Sequence, residues 1–171
     1  DKLFSYLQST APSLKLRADR VLFSLAESAK EYLPDKELCD PYEIAENVAN
    51  ILNVNIVCNE KREQFLLEKK GLIIIFENII KNFYDKSINE PGIELKMDVR
   101  EQDGILDIRL TDNGSHIINP EKIFEPFYSE KKGGLGIGLY HCRTIANNMQ
   151  GKLKAENTPE GPQFILQITY S

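Results

Sequence analysis

Cysteine is scarce in this chain and shows no pairing pattern. Cys39, Cys58 and Cys142 are the only three in 171 residues, odd in number, widely spaced and without a Cys-x-x-Cys motif. That argues against a disulfide framework and a cysteine-based zinc site, and it suits a reducing compartment. Long apolar runs are missing as well: the longest, residues 72–76, covers five positions, whereas a helix crossing a bilayer needs about 20. No secretory signal opens the chain. It begins at Asp1 without methionine, so it is expected to be a fragment of a longer protein whose remainder could hold any membrane anchor. Basic patches are absent from a sequence with 21 Lys and Arg against 26 Asp and Glu, a formal net charge of -5. Nucleic-acid and lipid-surface binding, which need such a patch, are therefore not expected. Internal repeats and low-complexity tracts are lacking too, and histidine is confined to His116 and His141.

What is present is a globular composition, 42% hydrophobic and 27% charged, at a length that suits one domain with a helical appendage. Residues 1–36 form the appendage. After Pro12, Leu14, Leu16, Val21, Leu22, Leu25, Ala29 and Leu33 recur at helical intervals. This stripe meets either a partner helix, within the chain or in a dimer, or its own domain. Residues 40–171 form the main domain. Asp40-Pro41-Tyr42-Glu43 places an N-cap Asp, a first-turn Pro and a Glu three after the cap, which predicts a helix to about residue 52. Strands at 54–58 and 64–67 follow.

A second helix, about 68–84, carries Leu72, Ile75, Phe76, Ile79, Ile80 and Phe83 on one broad face. Asn78 and Asn82 are four apart, so their carboxamides stack one turn above another. Two asparagines are locally costly in a helix, which points to a role at a site; exposed or capping positions are the other reading. Residues 92–99 and 105–110 alternate apolar and polar around Gln102-Asp103-Gly104 and predict an antiparallel hairpin. It ends in Thr111-Asp112-Asn113-Gly114, either an ordinary turn or a carboxylate facing a ligand. A third helix, to about residue 149, buries Leu139, Cys142, Ile145, Ala146 and Met149 and stops at Gly151. Closing strands lie at 152–156 and 163–169.

The densest stretch is 124–139. Phe124, Phe127 and Tyr128 can anchor one end, and Lys131 and Lys132 follow in a segment with little to bury. Gly134, Gly136 and Gly138 then alternate with Leu135, Ile137 and Leu139 just before the third helix. Bare backbone amides at a helix N-terminus attract anions. Taken alone, the run is equally a flexible loop and its lysines solvated charges; mobility is expected here.

Asn78 to Ser87, Asp112 to Gly114, Phe124 to Tyr128 and Gly134 to Leu139, in that order, resemble the N, G1, F and G2 boxes of the histidine kinase catalytic domain. Its superfamily also holds gyrase B, MutL and the heat-shock chaperone ATPases. The resemblance covers roughly residues 40–171, and Gly161-Pro162-Gln163-Phe164 adds a looser match before the last strand. It implies an α+β fold: a two-layer sandwich with a mixed sheet of about five strands faced by three helices, preceded by a helix from the dimerisation region. It also implies ATP and Mg2+. Asn82 would be the metal ligand, Asp112 the acceptor for the adenine amino group, and Gly114 a close approach to the base. Lys131 would stand near the γ-phosphate, and Gly134, Leu135, Gly136, Ile137, Gly138 and Leu139 would cradle the phosphates. Asp85, His116 and Phe127 are counted among the nucleotide-binding positions, with Phe124 and Phe127 also a hinge for the lid. His116 is equally an exposed turn, and His141 a surface residue beside the apolar stripe.

Asn78 stands where the hydrolase branch carries a water-activating glutamate, and the adjacent Glu77 is turned away by one helical step. With Asn78 and Lys131 as its catalytic pair, the resemblance implies transfer over hydrolysis. The partners implied are the dimerisation and phosphoacceptor domain of the same protein, as a homodimer, and the receiver domain of a response regulator. The location implied is cytoplasmic, including the cytoplasmic part of a membrane-bound sensor. Neither histidine lies in an acceptor-type helix; Arg17-Ala18-Asp19-Arg20-Val21 looks like part of the second dimerisation helix. The chain departs from the pattern at His116, which replaces a glycine, at Phe83, Asp85 and Lys86 after the metal asparagine, and at Pro162. A degenerate, non-catalytic nucleotide-binding module and an anti-sigma-type serine kinase are the alternatives.

Overall fold

The computed structural model describes residues 35–58, 62–131 and 134–170. The helix predicted before residue 35, and with it nearly all of the segment assigned to a dimerisation region, lies outside the described residues. Seven strands are described: β1 (Glu37–Cys39), β2 (Ile56–Cys58), β3 (Phe65–Leu67), β4 (Leu95–Gln102), β5 (Ile105–Asp112), β6 (Gly151–Thr158) and β7 (Gly161–Thr169). Three helices accompany them: α1 (Pro41–Ile51), α2 (Lys69–Ser87) and α3 (Gly138–Asn148).

Helix α1 starts where its sequence dictates. The Tyr42 amide donates to the Asp40 carboxylate at 2.9 Å, and Pro41 holds the first helical position. It closes on Asn53, which is left-handed at φ 54 and lets the Val54 amide donate back to the Ala49 carbonyl at 2.9 Å. The buried side of α1, with Tyr42, Ile44, Ala45, Val48 and Ala49, packs on α2. The Tyr42 hydroxyl accepts the Val99 amide at 2.9 Å and ties this helix to β4. Every apolar residue expected on the face of α2, from Leu72 to Phe83, is buried.

The main sheet runs β2-β4-β5-β7-β6, with β2 and β4 parallel and the other neighbours antiparallel. It is the expected mixed, five-stranded sheet. β1 and β3 form a separate antiparallel pair; β1 was not expected, because three residues carry no readable period. In β5, Leu106, Ile108 and Leu110 join one apolar core with all three helices. Asp107 and Arg109 alternate to the opposite face as an ion pair at 2.5 Å. Burial pushes the Asp107 carboxyl up, but hydrogen bonds from Arg109 and Gln167 outweigh it and hold the group below the usual carboxylate range. One face is thus a packed helical layer and the other a polar surface, a two-layer α+β sandwich. β5 ends on Asp112, opposite Leu95 in the register, and this delivers a carboxylate beneath the C-terminal half of α2.

Candidate functional site

Between α2 and the segment leading into α3 lies a cavity of about 1000 Å³, at the upper end of ordinary ligand pockets. One wall is α2. Asn78, Asn82, Lys86 and, in the turn after the helix, Glu90 recur every four residues and all face the cavity. Asn78 donates its amide to the Ile74 carbonyl at 2.9 Å. That aims its oxygen at Gly138, where an added Cβ would collide with it. Glu77 is exposed and lies instead beside Val48, Ile51 and Leu52 on the outer side.

The floor is Asp112, only 8% exposed at the end of β5. Its Oδ1 accepts from the Lys86 ammonium at 2.6 Å and from the Gly114 amide at 2.9 Å. Lys86 also donates to the Ser115 carbonyl at 2.6 Å. Ser115 in turn gives its amide to Glu90 at 2.7 Å and its hydroxyl to the other carboxylate oxygen. These two bonds, with the nearby Lys86 charge, hold the Glu90 carboxyl below the usual range.

The opposite wall is the segment leading into α3. Lys131 reaches across to α2, where its ammonium donates to Asn82 Oδ1 at 2.8 Å and Asp85 Oδ2 at 2.7 Å. The loop is folded on itself by the Phe127 amide, which donates to the Gly136 carbonyl at 2.9 Å. Gly136 sits at φ 66 with the Tyr128 carbonyl against the place of a Cβ, so no other residue fits there without strain. Helix α3 begins at Gly138, and its N-terminal end opens on the cavity.

The residues singled out in the sequence mostly converge. Asn78, Asn82, Asp85, Asp112, His116, Lys131 and each residue from Gly134 to Leu139 line the cavity. Gly114 lies just behind it, its amide on Asp112. Phe127 departs from expectation. The turn closed by the Tyr128 amide on the Glu125 carbonyl throws Phe127 into the left-handed region at φ 68. Its ring is 65% exposed and is not part of the cavity wall. Of the two rings expected to form a hinge, only Phe124 is packed: it is buried, edge-on to Phe164 at 6.4 Å, with the Arg143 guanidinium 4.0 Å above its ring, while Phe127 contributes backbone. Lys132 lies outside the described residues. The wall also includes Lys86, noted in the sequence only as a departure from the family pattern, and residues not singled out as site positions, among them Asn89, Glu90, Ser115, Tyr128 and His141. The four-residue recurrence that flagged Asn78 and Asn82 continues to Lys86 and Glu90 and would have found both.

Residues 68–170 match the Histidine kinase-, DNA gyrase B-, and HSP90-like ATPases. The chain belongs to that family. Its curated relatives include the two-component sensor PprA of Pseudomonas aeruginosa, 27% identical across 90% of this chain and 18% of the sensor. Sporulation kinase C of Bacillus subtilis is 28% identical across 82% of this chain and 35% of the kinase. The chain thus spans about a fifth to a third of the length of these relatives. Among solved structures, histidine kinase ThkA in complex with response regulator protein TrrA superposes with a TM-score of 0.70 at 20% identity, over 100% of this chain and 52% of that one. The matched residues run from α2 to β7 and include all the residues that line the cavity. A divalent cation suits the residues present: two oxygen donors, Asn82 Oδ1 and Asp85 Oδ2, already converge on a positive charge, that of Lys131, and magnesium takes few protein oxygens alongside phosphate and water.

Proposed function

We propose that this chain is the Mg·ATP-binding catalytic domain of a two-component sensor histidine kinase, passing the γ-phosphoryl group to a histidine that the chain itself lacks. The observation that carries this reading is the meeting, in one cavity, of Asn82, Asp85, Lys131, Asp112 and the amide-rich start of α3. Asp112 and His116 take the base end, with the backbone of Gly114 behind them. Asn82 holds the cation, with Asp85 beside it. The segment from Gly134 to Leu139 presents amides to the phosphates, and Lys131 leaves its carboxylate partner for the γ-phosphate. Bound magnesium supplies charge neutralisation and alignment of the phosphate oxygens. The chain's own residues bind and orient, which is most of what phosphoryl transfer asks of a protein. A carboxamide, unlike a carboxylate, is no base for water, so Asn78 favours transfer to an acceptor over hydrolysis.

The partners follow from that role: the dimerisation and phosphoacceptor domain of the same protein, as a homodimer, and the receiver domain of a response regulator. The reaction is assigned to the cytoplasm. Among the described residues no helix is long and apolar enough to cross a membrane. A second reading, a non-catalytic nucleotide-binding module, is favoured by one observation: the carboxylates at both ends of the cavity, Asp112 and Asp85, are already paired with lysines of the chain.

The test is to mix the chain with Mg2+, γ-labelled ATP and the separately made dimerisation domain. Labelled phosphohistidine on that domain is the expected result, lost with Asn82→Ala or Asp112→Ala. Tight nucleotide binding with no transfer would turn the assignment to the module.

A further inference from the structure

Glu130 and Lys131 are neighbours in the chain, line the same cavity and reach in different directions. Lys131 crosses to Asn82 and Asp85 on α2. The Glu130 carboxylate turns instead to the loop that follows β5 and accepts two successive backbone amides, Asn119 at 3.0 Å on Oε1 and Ile118 at 3.3 Å on Oε2. The Tyr128 hydroxyl donates to Oε1 at 3.3 Å and accepts from the Asn119 carboxamide at 3.1 Å. Both oxygens of the carboxylate are thus engaged, and bonds to an ionised acceptor are stronger and better directed than neutral ones.

The loop that Glu130 grips is itself anchored. The Ile117 amide donates to Asn157 Oδ1 at 3.0 Å, and Asn157 Nδ2 donates to the Ile117 carbonyl at 2.8 Å, which fixes the loop to β6. The Asn119 carbonyl accepts the amides of Lys122 and Ile123 at 3.0 and 3.2 Å, in the turn that leads into buried Ile123 and Phe124. On the near side, Ser129 Oγ accepts the Lys131 amide at 3.1 Å and donates to the Lys131 carbonyl at 3.2 Å. A chain of hydrogen bonds therefore runs from the sheet through Asn157, the 117–119 loop and Glu130 to the backbone that carries Lys131.

Its use becomes plain when the Lys131 ammonium leaves Asp85. Among the described residues, the hydrogen bonds that then still tie residues 128–131 to the fold outside their own segment are those of Glu130 and Tyr128 with Ile118 and Asn119. A lysine on an unanchored turn gives up backbone and rotamer freedom to meet a ligand, and that loss weakens the contact. Resting on the assignment of Lys131 to the γ-phosphate made above, we infer that Glu130 is a positioning residue for Lys131, holding its backbone in place while the ammonium moves from Asp85 to the γ-phosphate. Glu130 acts through the lysine and hence on the terminal phosphate alone.

Calorimetric titration of the 171-residue chain with Mg·ATP and with Mg·ADP tests this without recourse to turnover. Mg·ADP enters the same cavity but offers Lys131 no γ-phosphate. Glu130→Ala should weaken Mg·ATP binding about threefold and leave Mg·ADP binding unchanged. In a chain already carrying Lys131→Met, it should cause no further loss for Mg·ATP. A carboxylate that served only to hold the fold together would weaken both nucleotides alike and add its loss to that of Lys131→Met. Either of those results, or unchanged Mg·ATP binding, overturns the inference while leaving the nucleotide cavity intact. A Lys131→Met chain that loses no affinity for Mg·ATP relative to Mg·ADP overturns the γ-phosphate assignment itself, and the inference with it.

Discussion

Two lysine–aspartate pairs stand at opposite ends of one cavity, and they share almost the same geometry. Lys86 meets Asp112 at 2.6 Å, and Lys131 meets Asp85 at 2.7 Å. Their surroundings differ. The side chains of the first pair are 18% and 10% exposed and sit on a helix and a strand end; those of the second are 43% and 39% exposed, with the lysine on a loop. A shielded ion pair is expensive to break, because the charge left behind has lost its water. An exposed pair is nearly neutral in energy and can exchange partners freely. The Lys86–Asp112 end is accordingly part of the fold, and the Lys131–Asp85 end is the contact that, on the proposed function, a phosphate takes over.

Removing one partner at each end separates the two. Asp112→Ala leaves the Lys86 ammonium, 18% exposed, without its carboxylate partner and with the Ser115 carbonyl as its remaining acceptor, and it should lower stability by about 2 kcal/mol in urea denaturation as well as abolish nucleotide binding. Lys131→Met should change stability by less than about 0.5 kcal/mol, yet weaken Mg·ATP binding severalfold. Equal stability losses for the two variants would erase the distinction.

The smallest effect concerns pH. Glu90 is held below its ordinary value of 4.5 by the two Ser115 hydrogen bonds and by Lys86. A carboxyl with a depressed native value adds stability that is fully present above 4.5 and is lost as pH falls through the lower native value. The Ser115 amide resonance should therefore titrate with a midpoint below 4.5, and Glu90→Gln should remove that titration. A midpoint at or above the ordinary value would contradict the hydrogen-bonded arrangement at the base end.

The same contrast explains what could be read from the chain. Short-range instructions were legible: the Asp40-Pro41 start of α1, the apolar face of α2, the hairpin of β4 and β5, and the Asn78/Asn82 register. So was the order of the four motifs that marked the cavity. Less legible were features that depend on chain segments far apart. Lys86 and Asp112 are separated by 26 positions, and no local period announces their pairing. The backbone of Phe127 is set by a turn at Glu125 and by the Gly136 carbonyl across the lid, so its aromatic character suggested a packed ring where the fold exposes one. The pairing of β1 with β3 has the same origin, because three residues form a strand only once a partner is in place.

The central claim is that one nucleotide spans both ends of this cavity, base at Asp112 and phosphates at the start of α3. Titrating Mg·ATP into the ¹⁵N-labelled chain while following backbone amide resonances tests it most directly. The account predicts that Gly114 and Ser115 at the base end and Gly134, Gly136 and Gly138 at the lid end shift together, along one binding curve. Shifts confined to one end, or centred instead on the outer groove of Val48, Ile51 and Leu52, would contradict it.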